Sequence, residues 1–267
     1  MTESPIKFSV FTKPWRTQSL SELGQFVQQL GFDGIELPVR PGFPVEPENV
    51  ARDLPRAMMT LREFGVQILS VAGPTDEATL ATCAELKIPI IRIMASTGGN
   101  GYRVAASQLR RELDALIPRL ERYGVTIGIQ NHNGRYVCNA SGLRGLLEGY
   151  DPRHIAAVWD AAHNALQGEE PDLALDIIWP HLAMVNLKNA FWLRANGPEA
   201  ETAEWKVYWT SGRQGLASWP RVVAELKKRA YQGVVCLTAE YSDEAATDRL
   251  IAEDLRYAKS LFSESGA

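Results

Sequence analysis

Apolar runs of strand length alternate with longer amphipathic stretches along this whole 267-residue chain, eight times over. The runs lie at 6–11, 34–38, 66–71, 88–94, 125–132, 155–160, 182–188 and 234–240. The stretches lie at 20–30, 50–64, 77–86, 104–123, 140–150, 173–179, 219–230 and 243–262, most with apolar residues at three- and four-residue spacing. Such alternation predicts a parallel sheet covered by helices. Eight units without a break in composition predict closure into one (β/α)8 TIM barrel domain over residues 1–267. A doubly wound open sheet is the competing α/β solution, but no Gly-x-Gly-x-x-Gly turn follows the first run. Gly31, Gly124 and Gly233 stand where helices hand over to strands and suit left-handed C-terminal caps. Ser141 and Ser218 stand near helix starts as N-caps.

Composition narrows the function classes. At 45% hydrophobic and 22% charged residues the chain suits a soluble domain whose core needs no disulfide or structural metal. A net charge of −4 gives no basic face for nucleic acid. Cys83, Cys138 and Cys236 are far apart, without metal spacing, and read as reduced packing residues. No apolar run reaches membrane-spanning length, and Met1-Thr2-Glu3-Ser4-Pro5 lacks the basic-then-apolar start of a signal peptide. The expected location is the cytoplasm, and a homo-oligomer stays open.

Active sites of parallel barrels form at the C-terminal strand ends. Four segments place chemistry there: Gln130-Asn131-His132, Asp160-Ala161-Ala162-His163, Asn186-Leu187-Lys188-Asn189 and Glu240. Strand alternation puts Gln130 with His132, and Asn186 with Lys188, on shared faces. Asp160 and Glu240 close otherwise apolar runs, so each carboxylate needs a partner: a cation, Lys188 or Arg213. His163 suits an acid/base or hydroxyl-binding role, and His132 contacts substrate or positions Gln130 or Asp160. Lys188 reads equally as a site residue (counter-charge, electrophile or tunable base) or as one half of a buried ion pair with Asp160 or Glu240. Lys13, Trp15 and Glu36 line the mouth or form a rim salt bridge, whereas His154 and His181 start strands and read as structural. The connection from Asn189 to Ser218 exceeds usual loop lengths. It carries Phe191, Trp192, Trp205, Tyr208, Trp209 and Arg213, and is expected to cover substrate rather than to be a mere surface excursion.

With Gly31-Phe32-Asp33-Gly34-Ile35-Glu36-Leu37 in the second unit, and Gly212 to Trp219 between the last segments, the chain resembles the xylose-isomerase-like TIM-barrel superfamily of sugar (phosphate) isomerases and epimerases. The resemblance implies one divalent ion, often manganese, held by Glu, Asp, His and Glu from strands five to eight. Those positions are Gln130, Asp160, Asn186 and Glu240 here, so two carboxylates match and two amides depart. The usual Glu-x-His is Gln130-Asn131-His132, and the usual His-x-Lys-Asp is Asn186-Leu187-Lys188-Asn189. Gln130 carries no proton at neutral pH, which removes one partner of a two-glutamate acid/base mechanism. The remaining oxygen donors suit Mn²⁺, Mg²⁺ or Ca²⁺, unless Lys188 replaces the ion.

The implied function is a sugar or polyol isomerase or epimerase that takes a proton from beside a carbonyl. Glu240 is then the base, His163 and Lys188 are acid or hydroxyl ligands, and His132, Arg213, Trp15 and Glu36 are substrate contacts. The alternatives are a non-catalytic sugar-binding protein and a keto-sugar lyase or dehydratase. A repair endonuclease on this fold needs a histidine-rich zinc site, and only 4 histidines are present.

Overall fold

Ten strands are described: β1 (Ile6–Phe11), β2 (Gly34–Pro38), β3 (Gln67–Ala72), β4 (Ile90–Met94), β5 (Thr126–Gln130), β6 (Ile155–Asp160), β7 (Leu182–Leu187), β8 (Asn189–Arg194), β9 (Trp205–Thr210) and β10 (Gly233–Leu237). Eight of them close a parallel barrel in the order β1-β10-β7-β6-β5-β4-β3-β2, while β8 and β9 pair separately as an antiparallel hairpin. The computed structural model describes residues 6–99 and 101–263, so the first five residues, used above for the signal-peptide reading, lie outside it.

The helices are α1 (Leu20–Leu30), α2 (Val50–Arg62), α3 (Glu77–Glu85), α4 (Tyr102–Tyr123), α5 (Ala140–Leu147), α6 (Ala161–Ala165), α7 (Pro171–Ile178), α8 (Trp219–Lys228) and α9 (Thr247–Ser263). None of the described helices is long and apolar enough to cross a membrane.

Local chemistry explains most helix ends. Ser19 and Glu22 form a reciprocal capping box at the start of α1, and Gly31 ends it in the left-handed conformation with φ of 87°. Gly124 does the same for α4 at φ of 65°. Two expectations change. The cap of α5 is Asn139, whose side chain accepts from Gly142 N at 2.9 Å, while the Ser141 hydroxyl donates to Glu169. After α8 the left-handed residue is Ala230, with φ of 52°, so Gly233 is free to open β10.

Two apolar shells hold the barrel. The larger lies between strands and helices, with residues such as Ile35, Leu54, Leu120 and Trp159 fully buried. The smaller fills the barrel interior with Phe11, Ala72, Ile90, Val158, Met184 and Cys236. Gly128 in β5 makes room for this filling, since a Cβ there would lie 2.6 Å from a methyl of Val158.

Two strands end at least two residues earlier than the apolar pattern predicts, and β7 one residue earlier. β5 stops at Gln130, and His132 sits in a turn where its N–H bonds Val137 O. β10 stops at Leu237, and Ala239 adopts a left-handed φ of 52°. That conformation is costly for a residue with a Cβ. It redirects the chain so that Glu240 turns back over the barrel mouth. The expected loop after β7 is the β8–β9 hairpin, a correction treated below with the site.

Candidate functional site

The barrel interior carries a row of polar groups crossing five strands, β2 to β6. Arg92 in the otherwise apolar run Ile90-Ile91-Arg92-Ile93-Met94 points inward and is 5% exposed. Its Nε donates to both oxygens of Glu36 in β2 at 2.8 and 2.9 Å, and its Nη2 lies 2.7 Å from Glu36 Oε2. Ser70 adds a third donor to that carboxylate. The guanidinium also stacks over the Phe11 ring, 4.7 Å from its centre.

Arg92 Nη1 donates to Gln130 Oε1, and Gln130 Nε2 donates to Asp160 Oδ2 at 2.9 Å. The other Asp160 oxygen caps α6, accepting from Ala162 N and His163 N at 3.0 and 3.1 Å. Position 130 must therefore accept at one end and donate at the other. An amide does both and a carboxylate does not. Burial pushes the Asp160 carboxyl up, against the opposing pull of Lys188.

A second cluster closes the mouth. Glu240 receives Lys188 Nζ at 2.7 Å on one oxygen and Lys13 on the other. Burial would raise the Glu240 pKa, but the two ammonium groups outweigh it and hold the carboxyl at about 2. It is thus an ionised charge clamp and a weak base at neutral pH. Lys188 Nζ also lies 3.7 Å from the centre of the Trp209 ring, whose plane meets His163 in a T-shaped contact at 5.1 Å.

The hairpin is what brings Trp209 there. Its root is held by Asn189, which donates to Gly212 O and Ala217 O and accepts from Ala190 N and Ala217 N, all within 2.9–3.0 Å. Gly215 packs so tightly on this amide that a Cβ would lie 2.1 Å from Asn189 Oδ1. Asn131 does similar work between β5 and β6, accepting from Asp160 N and donating to Asp160 O. Neither asparagine is free to hold a ligand.

The His132 and His163 rings lie with their centres 4.0 Å apart, tilted by 36°. His132 Nδ1 lies 2.8 Å from Asn133 O, and His163 Nδ1 accepts from Asn133 N at 3.2 Å. Burial lowers the pKa of both, and that of His163 well below the usual histidine range. A cavity of about 60 Å³, with Phe11, Lys13, Arg40, Gln130, His132, His163 and Glu240 among its walls, opens at this end of the barrel.

Six of the expected site residues thus meet at the mouth: Gln130, His132, Asp160, His163, Lys188 and Glu240. Glu36 joins them through Arg92. Asn186 is fully buried beside Asp160 and Cys236 in register, and neither of its amide atoms has a partner among the described residues. Two residues lie elsewhere. Trp15 packs on Phe26 and donates to Asp248 at 2.8 Å, on the helix side of β1. Arg213 lies over Tyr257 at 3.7 Å, beside α9. Arg92 and Arg40 escape a motif-based reading. A charged residue at the centre of a β4 run of isoleucines was the available signal for Arg92.

A family model described as xylose isomerase-like TIM barrel matches residues 25–261. The chain belongs to this xylose isomerase-like TIM barrel family. Solved structures agree on the fold. The probable 3-DHS dehydratase AsbF from Bacillus anthracis is 17% identical, with a TM-score of 0.70 over 97% of this chain and 100% of that one. D-psicose 3-epimerase from Clostridium cellulolyticum H10 is 13% identical, with a TM-score of 0.71 over 96% and 99%. The 3-keto-D-glucoside 4-epimerase YcjR from E. coli is 14% identical, with the same TM-score and coverage. No curated protein matches the sequence.

Within the xylose isomerase-like family, the resemblance implied a divalent ion at Gln130, Asp160, Asn186 and Glu240. The donors here do not fit a resident ion. Gln130 Oε1 is engaged by Arg92, both Asp160 oxygens by N–H donors, and both Glu240 oxygens by lysines. Arg92 already pairs with Glu36, and Lys188 and Lys13 both pair with Glu240, while Asp160 is held by neutral N–H donors. A divalent ion would enter against that charge and would have to displace those bonds. The expected result of equilibrating the purified protein with Mn²⁺ and removing free metal is retention well below one equivalent. Stoichiometric retention would show that the ion pairs yield to the metal.

Proposed function

We propose that this chain is an enzyme of the isomerase/epimerase type that takes a proton from beside the carbonyl of a small hydroxylated substrate, a keto form of a sugar or polyol. The observation that carries this reading is the pair of donors set against one ring. Lys188 Nζ sits on the face of Trp209 and His163 meets the same ring. The His163 Nε2 is buried without a partner among the described residues. A carbonyl oxygen placed between an ammonium and a neutral imidazole N–H gains stabilisation as it becomes an enolate oxygen.

Glu240 aligns Lys188 for this task, and Lys13 keeps Glu240 ionised. Arg92 supplies fixed positive charge behind the site without a titratable proton at working pH. The cavity has space for a few water molecules, so a sugar enters only as the rim side chains Lys13 and Arg40 swing outward.

One enolate leads to several products. Reprotonation on the other carbon is isomerisation, on the other face epimerisation, and loss of a β-hydroxyl gives the lyase outcome. Two neighbours are named as epimerases and one as a probable dehydratase, which is in keeping with this range.

The test is deuterium wash-in. D-fructose, D-tagatose and D-psicose are incubated with the protein in D2O, and loss of the C–H signal beside the carbonyl is followed by proton NMR. Exchange in at least one ketose is expected. Sugar binding with no exchange across the panel would make the chain a sugar-binding protein instead.

A further inference from the structure

We infer that His132 and His163 form a matched acceptor and donor pair, held in opposite tautomers by the backbone of the single residue Asn133, and that His132 Nε2 is the proton acceptor of the reaction. The inference rests on the proton-abstraction reading above and assigns the base that Glu240 does not provide.

The argument is one of hydrogen-bond complementarity. A carbonyl oxygen only accepts, so the 2.8 Å contact of His132 Nδ1 with Asn133 O places a proton on Nδ1. A neutral His132 then has a bare lone pair on Nε2. A backbone N–H only donates, so its 3.2 Å contact with His163 Nδ1 leaves that nitrogen without a proton. A neutral His163 then carries its proton on Nε2. One peptide residue thus presents its acceptor to one ring and its donor to the next. The ring centres are 4.0 Å apart and both residues border the same cavity.

No described residue partners His163 Nε2, whose approach to Asp160 Oδ2 is a long 3.9 Å. None bonds His132 Nε2, while Tyr136 packs on the His132 ring at 4.7 Å. A lone pair and an N–H donor are therefore both left without a partner among the described residues, on two rings that border one small cavity. This is what abstraction beside a carbonyl requires: one group to take the proton and another to hold the oxygen.

The step balances within the site. The substrate C–H bond breaks and its proton forms an N–H bond on His132 Nε2. The freed electron pair becomes the carbon–carbon π bond, and the carbonyl π pair moves to oxygen. His163 keeps its proton and bonds that oxygen, beside the Lys188 ammonium. Return of that proton from His132 to the former carbonyl carbon on the same face, while the neighbouring hydroxyl proton passes to the enolate oxygen, completes an isomerisation without any co-reactant.

The test begins without substrate. Long-range proton–nitrogen NMR on the full chain labelled with nitrogen-15 histidine reports which ring nitrogen carries each proton. Signals are assigned with His132→Gln, His154→Gln and His181→Gln, which leaves His163 by elimination among the 4 histidines, and Asn133→Ala serves as a control that keeps the backbone. The expected result is Nδ1–H for His132 and Nε2–H for His163, unchanged in Asn133→Ala. The same tautomer in both rings, or a proton on His132 Nε2, overturns the inference whatever the ketose panel shows.

The second arm uses the ketose that exchanges best. His132→Ala is expected to lower wash-in at least ~100-fold with its circular dichroism unchanged. Added imidazole should restore part of the rate. Undiminished exchange in that variant removes His132 as the base while leaving the reaction class intact. Absence of exchange with every ketose, alongside the expected tautomers, counts against the reaction class and not against the pairing.

Discussion

Arg92→Met is expected to destabilise the fold by about 3–5 kcal/mol, the range for breaking a buried ion pair from one side. The Glu36 carboxylate is fully buried and would keep only the Ser70 hydroxyl. Gln130 Oε1 would lose its donor, and the Phe11 ring its cation. Urea denaturation of the variant and wild type measures the difference. Pairing the change with Glu36→Gln should recover much of the loss, because the uncompensated charge is the main cost. Arg92→Lys should not rescue fully, since a single ammonium cannot bridge Glu36 and Gln130 as the guanidinium fork does. A loss below ~1 kcal/mol, the scale of an exposed pair, would mean that water reaches this ion pair and that the charge balance argued for the site is wrong. The prediction bears on function as well as stability, because this guanidinium is what engages the first of the expected metal positions.

Asn189→Asp should cost roughly 3 kcal/mol or more, although the related motif has an acid at this place. The amide donates to Gly212 O and Ala217 O. A carboxylate would instead face those two carbonyl oxygens as a third acceptor, 1% exposed and with Gly215 closing off any retreat. The root of the β8–β9 hairpin should loosen, and Trp209 with it. Two measurements check this: denaturation midpoint, and the tryptophan emission on going from wild type to variant. If Asn189→Asp is as stable as wild type, the amide is not the latch of the hairpin.

The departures at 130 and 189 look alike in sequence, and the structure separates their causes. Gln130 is an amide because Arg92 and Asp160 stand at its two ends. Asn189 is an amide because two backbone carbonyls, Gly212 O and Ala217 O, need a donor. Asn186 shares neither reason. Its amide atoms are buried without partners, and such atoms call for a bound group or carry a real cost.

The eightfold alternation of apolar run and amphipathic stretch was enough to settle the barrel, because burial period is written locally in the chain. The limits of β1, β2 and β6 were legible for the same reason: each is a continuous apolar run ended by a turn or cap. The strand-end rule then singled out Gln130, His132, Asp160, His163, Lys188 and Glu240. β5 and β10 were read too long, since the turn at His132 and the left-handed Ala239 leave no mark on the apolar period. The β8–β9 hairpin is not expected from the sequence because the connection between its strands is long, and the Asn196-Gly197 turn signal within it does not join them directly.

Partner choice lay beyond the sequence altogether. Glu36 and Arg92 are 56 residues apart, and Lys188 and Glu240 are 52 apart. Which charge meets which is decided by barrel closure and side-chain reach, not by any local pattern. That is why a chain whose motif positions suggested a weakened metal centre folds into one whose carboxylates are already engaged by its own cations and amides.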